Sequence, residues 1–232
     1  MIRVLKEILQ EMENISDYKE SFEMMVKRIA HALSTDACSI FLLDRHHGEY
    51  VLVATYGLNQ QAVGKVRIPM NQGLIGMLGE REEPLNLDDA PTHPRFLHVP
   101  FIKEEHLHTF LGIPLIFHRQ VQGVLVVQGH QSKRYDVEEE AFLVTLGMQL
   151  AALIAHADVS VILRSLTSDV SNESALVYSG VPGAPGIGIG EGVVVSNRLH
   201  FEMIEDRIPD DIESEIKLLD NTNFENSFNT AM

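Results

Sequence analysis

Apolar residues recur at helical spacing twice near the start of the chain, as Leu5, Ile8, Leu9, Met12 and Ile15, then as Phe22, Met25, Val26, Ile29 and Leu33. Two helices are predicted, with a turn at 14–16 between them. Asp17 and Glu20, three apart, form a capping pair for the second, since a carboxylate there accepts from the free N–H groups of the first turn. From Ala37 the pattern changes. Residues 38–43 (Cys-Ser-Ile-Phe-Leu-Leu) and 50–56 (Tyr-Val-Leu-Val-Ala-Thr-Tyr) are strand formers joined by polar 44–49, which predicts a hairpin.

Residues 65–69 predict a short strand, and 73–78 (Gly-Leu-Ile-Gly-Met-Leu) a short helix opened by Asn71. Residues 84–100, punctuated by Pro84, Pro91, Pro94 and Pro100, predict a long loop. Two more strands follow, at 109–117 and 121–128, separated by His118-Arg119-Gln120. Asp136 is a good N-cap for a long helix, with Glu138, Glu139 and Glu140 facing the positive end of its dipole. Its apolar pattern runs from Phe142 past Val161 to Leu166, and a helix continuous from Asp136 to Leu166 spans about 45 Å. One small domain does not cover so long a helix. An uncovered stripe of Val159, Val161, Ile162, Leu163 and Leu166 predicts a homodimer through this helix.

Residues 167–178 read as a linker. Six glycines then fall within 180–192, followed by the strand Val193-Val194-Val195. The stretch 200–220 holds eight carboxylates against two basic residues, and asparagine-rich 221–232 shows no periodicity, which predicts a disordered tail. The 232-residue chain carries 18 Lys+Arg against 33 Asp+Glu, a net charge of −15, which argues against a nucleic-acid partner or an anionic membrane surface. A single cysteine, Cys38, leaves no intramolecular disulfide and fits a reducing compartment. No apolar run reaches membrane-spanning length and the charged N-terminus is no signal peptide, so a cytoplasmic location is expected.

Two helices, a hairpin, the helix opened by Gly73-Leu74-Ile75-Gly76, the stretch Pro84-Leu85-Asn86-Leu87-Asp88-Asp89 with Pro94-Arg95-Phe96, and the strands Leu111-Gly112-Ile113-Pro114-Leu115 and Gly123-Val124-Leu125-Val126-Val127 together resemble a GAF domain over about 1–160. The segment from Gly180 to Gly190 resembles the Gly/Pro-rich opening of the phosphohistidine domain of enzyme I proteins. That order resembles the nitrogen-branch enzyme I of the phosphotransferase system, a phosphoenolpyruvate–protein phosphotransferase. The resemblance implies an α+β fold: a GAF-like antiparallel sheet flanked by helices, a long signalling helix continuing to about 166, and an incomplete phosphohistidine domain over 179–220. That family passes phosphoryl through a histidine in a Gly-Gly-x-x-Ser-His type motif and binds phosphoenolpyruvate and magnesium in a C-terminal barrel. None of the eleven histidines sits in such a motif, and the barrel is missing. The chain therefore reads as a truncated or frameshifted regulatory portion with no catalytic residue and no cofactor of its own. Magnesium and a phosphocarrier protein are expected only for the complete family enzyme.

The glycines of 180–192 lack the lysine and Ser/Thr of a phosphate-binding loop and fit a tight structural strand. His106 and His108, with His93 and His98 nearby, have no distinctive metal-ligand spacing and read as loop residues, so no metal site is expected. Cys38 reads as a small buried residue. What remains is a small-molecule pocket, which GAF-like folds place between one sheet face and the segment that here runs from 68 to 110. Gly73, Leu74 and Ile75 at a helix start would offer N–H groups to a carboxylate or other anion. Asn86, Asp88 and Thr109 would add polar contacts, and Ile40, Leu42, Phe110 and Leu74 apolar walls. The expected ligand is a small metabolite of nitrogen status, an amino acid or a 2-oxo acid. The alternatives are a dimerisation module without a ligand and a GAF sensor of an unrelated ligand.

Overall fold

The computed structural model of the chain describes residues 6, 18–102, 106–157, 159, 162–163, 175–179 and 191–195. The first predicted helix apart from Lys6, Asp17, Leu166, residues 167–174 of the predicted linker, the glycine segment 180–190 and everything from 196 onward lie outside the described residues. Residues 175–178, read as linker, stand instead in a strand, because they find backbone partners in strands distant in sequence.

Helix α1 (Tyr18–Leu33) buries Phe22, Met25, Val26, Ile29 and Leu33, the set its periodicity predicts, and leaves a charged outer face. Strands β1 (Ala37–Asp44) and β2 (Glu49–Tyr56) form the predicted hairpin, and β3 (Val66–Pro69) pairs antiparallel with β2. Helix α2 (Gly73–Arg81) is longer than expected, and Asn71 does not cap it: Gln72 stands at the N-cap and makes no side-chain capping bond. The stretch 84–100 is not one loop. It contains the three-residue strand β4 (Leu85–Leu87) and a 3-10 turn at Ala90–Thr92, and a second 3-10 turn follows at Pro100–Ile102. Pairing with β5 supplies β4 with backbone partners that three residues cannot find alone.

Strands β5 (Thr109–Phe117) and β6 (Gln120–Gly129) meet at His118-Arg119, both at positive φ. Helix α3 (Val137–Ala157) starts at Asp136, where the predicted cap is a reciprocal one: Glu139 N donates to Asp136 Oδ1 and Asp136 N to Glu139 Oε2, each at 2.8 Å. The antiparallel order is β4-β5-β6-β1-β2-β3. Beyond β3, in parallel, lies β7 (Ala175–Ser179), which pairs with β8 (Glu191–Val195), the strand expected after the glycines.

Two hydrophobic cores lie on opposite faces of this sheet. One joins Ile40, Leu42, Val51, Val53, Leu111, Ile113, Leu115, Leu125 and Val127 to α1 and α3. Gly147 of α3 makes that contact possible, because a Cβ there would stand 2.2 Å from Ile113 Cδ1. The other joins Phe41, Leu43, Leu52, Ile68, Phe110, Val124 and Val126 to α2 and the 97–102 segment. Cys38 is buried on the helix-covered face, and burial pushes its thiol up, out of reach of thiolate chemistry. Ile162 and Leu163 are also buried, inside this chain's own core. The stripe expected to be uncovered is therefore covered at those two positions. No helix among the described residues is long and apolar enough to cross a membrane.

Candidate functional site

The alternation of side chains along β1 divides its residues between the two cores, and this decides what can line a pocket. Ser39 and Phe41 point to the face under α2, and join Ile68, Phe110, Val126 and Gln128 as the floor of a small cavity. Its roof is the start of α2 (Gly73, Leu74, Ile75) together with Phe96, Leu97, Val99 and Ile102. Of the residues expected at a ligand site, Gly73, Leu74, Ile75 and Phe110 come together here.

The others do not. Ile40 and Leu42 belong to the opposite core, one residue out of phase with the cavity. Asn86 is a structural bridge: its Nδ2 donates to Tyr135 O at 2.9 Å and Glu140 Oε2 at 3.0 Å, and its Oδ1 accepts from Tyr135 N. Asp88 is exposed and faces Arg134 at 3.6 Å, and Thr109 Oγ1 donates to Gln131 O. Ser39, Phe41 and Gln128 take the places that the sequence analysis gave to Ile40, Leu42 and Thr109. One signal pointed to Ser39: it is a lone hydroxyl in an apolar strand. Its partner is Thr55, directly across the hairpin, with the two oxygens 2.8 Å apart.

Gly73 has a structural reason to be glycine. Its φ is +64°, and a Cβ would lie 3.2 Å from Leu97 Cβ. The roof thus rests directly on backbone. With no side-chain cap on Gln72, the first N–H groups of α2 receive no side-chain acceptor there.

The covering segment is held by polar bonds. Arg95 Nη1 donates to Glu80 Oε2 at 2.5 Å, and its Nη2 to Glu80 Oε1 at 3.2 Å and Asn71 O at 2.8 Å. The Arg95 bond holds the Glu80 carboxyl below its ordinary value. Asn59 Nδ2 donates to Phe101 O at 2.8 Å and Asn59 N to Ile102 O at 3.2 Å. Burial and the neighbouring Arg81 and Arg95 cations hold His93 below its ordinary value, and its Nδ1 accepts from Arg95 N at 3.1 Å. His108 lies with Nδ1 2.7 Å from Asp89 Oδ1, while His106 is exposed. Among the described residues, no group of three His, Cys, Asp or Glu side chains could hold a metal ion.

The free space is about 40 Å³. That holds roughly two or three waters, against the roughly 300–1,000 Å³ of ordinary ligand pockets. In this conformation the site is shallow and almost filled by its own side chains.

Residues 17–154 match the family model of the GAF domain. Over 192 residues the chain is 36% identical to the protein named "Phosphoenolpyruvate-dependent phosphotransferase system" of Escherichia coli (strain K12), a match that covers 83% of this chain and 25% of that protein. Its namesake in Salmonella typhimurium is 35% identical over the same coverage. The chain spans about a quarter of the length of these curated relatives. Among solved structures, the GAF domain from a phosphoenolpyruvate-protein phosphotransferase of Coxiella burnetii is 48% identical, with a TM-score of 0.66 over 68% of this chain and 95% of that one. The GAF domain of the corresponding Acinetobacter protein is 40% identical, with a TM-score of 0.61 over 67% and 93%.

Proposed function

The chain belongs to the GAF family, in the company of the GAF domains of phosphoenolpyruvate–protein phosphotransferases, and on that premise we propose that it is the regulatory portion of such an enzyme, tuned by a small metabolite. The metabolite class is an amino acid or a 2-oxo acid. The observation that carries this is the uncapped start of α2 opening onto an apolar cavity. A carboxylate fits N–H groups at a helix start, and an apolar side chain fits the surrounding walls. The ligand enters when the segment over 95–102 lifts, because 40 Å³ admits no metabolite otherwise. No histidine occupies a phosphohistidine motif, so the chain alone transfers no phosphoryl group and needs no cofactor of its own.

A thermal-shift screen of amino acids, 2-oxo acids and nucleotides tests this, since a ligand that binds only the folded state raises Tm with its concentration. The expected hit is a carboxylate-bearing metabolite that also moves the amide resonances of 73–75. A hit that leaves those amides unmoved places the ligand elsewhere.

The nearly filled cavity favours a second reading, in which the domain is a dimerisation module with no ligand. Dimerisation belongs to both readings. On α3 the outward residues Ala141, Thr145 and Met148 are exposed, and their 4-then-3 spacing continues to half-buried Ala152. That is the repeat of a two-helix seam. Light scattering of the chain at micromolar concentration is expected to give a dimer, and Met148→Glu a monomer. A monomer before any substitution removes the seam from both readings.

A further inference from the structure

At the opposite end of the sheet from α2's cavity, the β1–β2 and β5–β6 turns enclose a cleft of about 780 Å³, within the range of small-molecule sites. Its charges are unequally satisfied. Asp44 and Glu49 are direct cross-strand partners, an arrangement that repels, and Arg67 Nη1 relieves it from 3.3 Å to each carboxylate. Asp44 also accepts from His46 N and His47 N, and His47 Nδ1 lies 2.8 Å from its Oδ2. Those two acids and Arg67 are spent on one another.

Arg45 is not. Its Nη2 donates to Val121 O at 2.6 Å, which anchors the guanidinium between the two turns. Among the described residues no carboxylate pairs with it, although the chain has 33 acidic residues against 18 basic ones. Four of its five donors remain for something else. His118 lines the same cleft at φ +46°, followed by Arg119 at +62°. A two-residue turn of this kind ordinarily takes Asn-Gly, and the strain here is carried by a histidine and an arginine instead. The turn presents the His118 ring stacked on Phe117, with centroids 4.1 Å apart and planes at 19°. The remaining wall is mixed, with the amides of Gln120 and Gln122 beside an apolar strip of Phe117, Ala155 and Val159.

We propose that this cleft is a second binding site, for a small organic polyanion. Its carboxylate or phosphate groups sit on the free donors of Arg45 and on the imidazoles of His46 and His118, and its carbon skeleton lies against Phe117, Ala155 and Val159. Calorimetric titration of the whole chain with citrate and with pyrophosphate, at constant ionic strength, tests it. One saturable equivalent of either probe is expected; citrate alone assigns carboxylates, pyrophosphate alone phosphates. Arg45→Gln should weaken binding by roughly tenfold or more, the usual weight of a charge-assisted hydrogen bond. His118→Asn retains a residue that tolerates positive φ, so it should weaken binding several-fold while leaving the unfolding midpoint in place. The proposal is overturned if neither probe saturates by about 10 mM, a limit weaker than specific recognition needs, or if both variants, shown folded by their melting curves, bind like the parent.

Discussion

One sheet carries two different coverings. On the face of Ile40, Leu42 and Ile113 lie α1 and α3, whose backbones satisfy their own hydrogen bonds, so the contact surface is almost wholly apolar. On the face of Ser39, Phe41 and Phe110 lie the nine-residue α2 and an irregular run through 88–102. A segment without regular structure borrows its backbone and side-chain partners from elsewhere: here from Asn59, His108, Glu80 and Asn71. Such bonds are individually weak and several are exposed. The helix-covered face is therefore expected to open only on global unfolding, and the irregular cover to open locally. The proposed regulatory role would use both, one face to hold a shape and the other to change it.

The largest expected effect contrasts the two covers directly. Phe22→Ala, at a side chain with no exposure on α1, should cost about 3–5 kcal/mol in urea unfolding, the usual range for a buried aromatic. Leu97→Ala, in the irregular cover, should fall near the lower end of the leucine range, about 2 kcal/mol, because the neighbouring segment relaxes into the space. Equal losses would erase the distinction between the faces.

The next effect is at Gly73. Alanine there accepts a left-handed backbone conformation and a tight contact with Leu97, so a loss of about 1–2 kcal/mol is expected from the conformation alone. For this reason a bulky residue at 73 is not a clean probe of ligand binding. It disturbs the roof whether or not a ligand binds there.

These faces were only partly legible in the sequence. The α1 register and the β1–β2 and β5–β6 pairings follow from periodicity, and Asp136 announces its helix by local chemistry alone. The face of β1 does not. All eight of its residues are buried, so no polar alternation separates Ser39 and Phe41 from Ile40 and Leu42. Asn86 looked like a ligand contact because it is polar and near the site. Its partners, Tyr135 and Glu140, lie 49 and 54 residues away, and no local pattern announces them. Ile162 and Leu163 looked uncovered because their cover is likewise a matter of tertiary packing. Arg45 drew no notice among the hairpin's polar residues, since a missing ion pair is visible only in three dimensions.

Acid titration sharpens the comparison at the edge of the helix-covered face. Burial pulls the Asp44 carboxyl up, but hydrogen bonds from His47 and Arg67 outweigh it, so the folded carboxyl lies below its ordinary value. A folded value below the unfolded one stabilises the protein fully above the unfolded value, about 3.9, and that contribution is lost as pH falls from there through the lowered folded value. Asp44→Asn should therefore be less stable than the parent near neutrality, with the difference closing on acidification below the carboxylate range. Unfolding free energies measured across that range decide it. A difference independent of pH would assign the loss to packing instead.

The smallest change in stability should come with the most informative change in motion. Arg95 grips Glu80 with both terminal nitrogens, but the two side chains are 35% and 43% exposed, so Arg95→Gln should cost only about 0.2–1 kcal/mol of global stability. Arg95 nevertheless ties the cover to both ends of α2, through Glu80 in its last turn and Asn71 O just before its first. Losing it should lower the free energy of local opening by the same small amount, which amounts to a few-fold faster amide exchange over 96–102. Exchange in β1 and β6, which needs the helix-covered face to come apart, should change only as much as global stability does. The discriminating quantity is the opening free energy itself: amides over 96–102 should exchange faster than those of β1 and β6 in parent and variant alike, and if both sets share one opening free energy, the cover opens only with the whole domain. A shared value would also remove the physical basis for ligand entry beneath it, because a cavity of about 40 Å³ that never opens alone cannot admit a metabolite in the folded state.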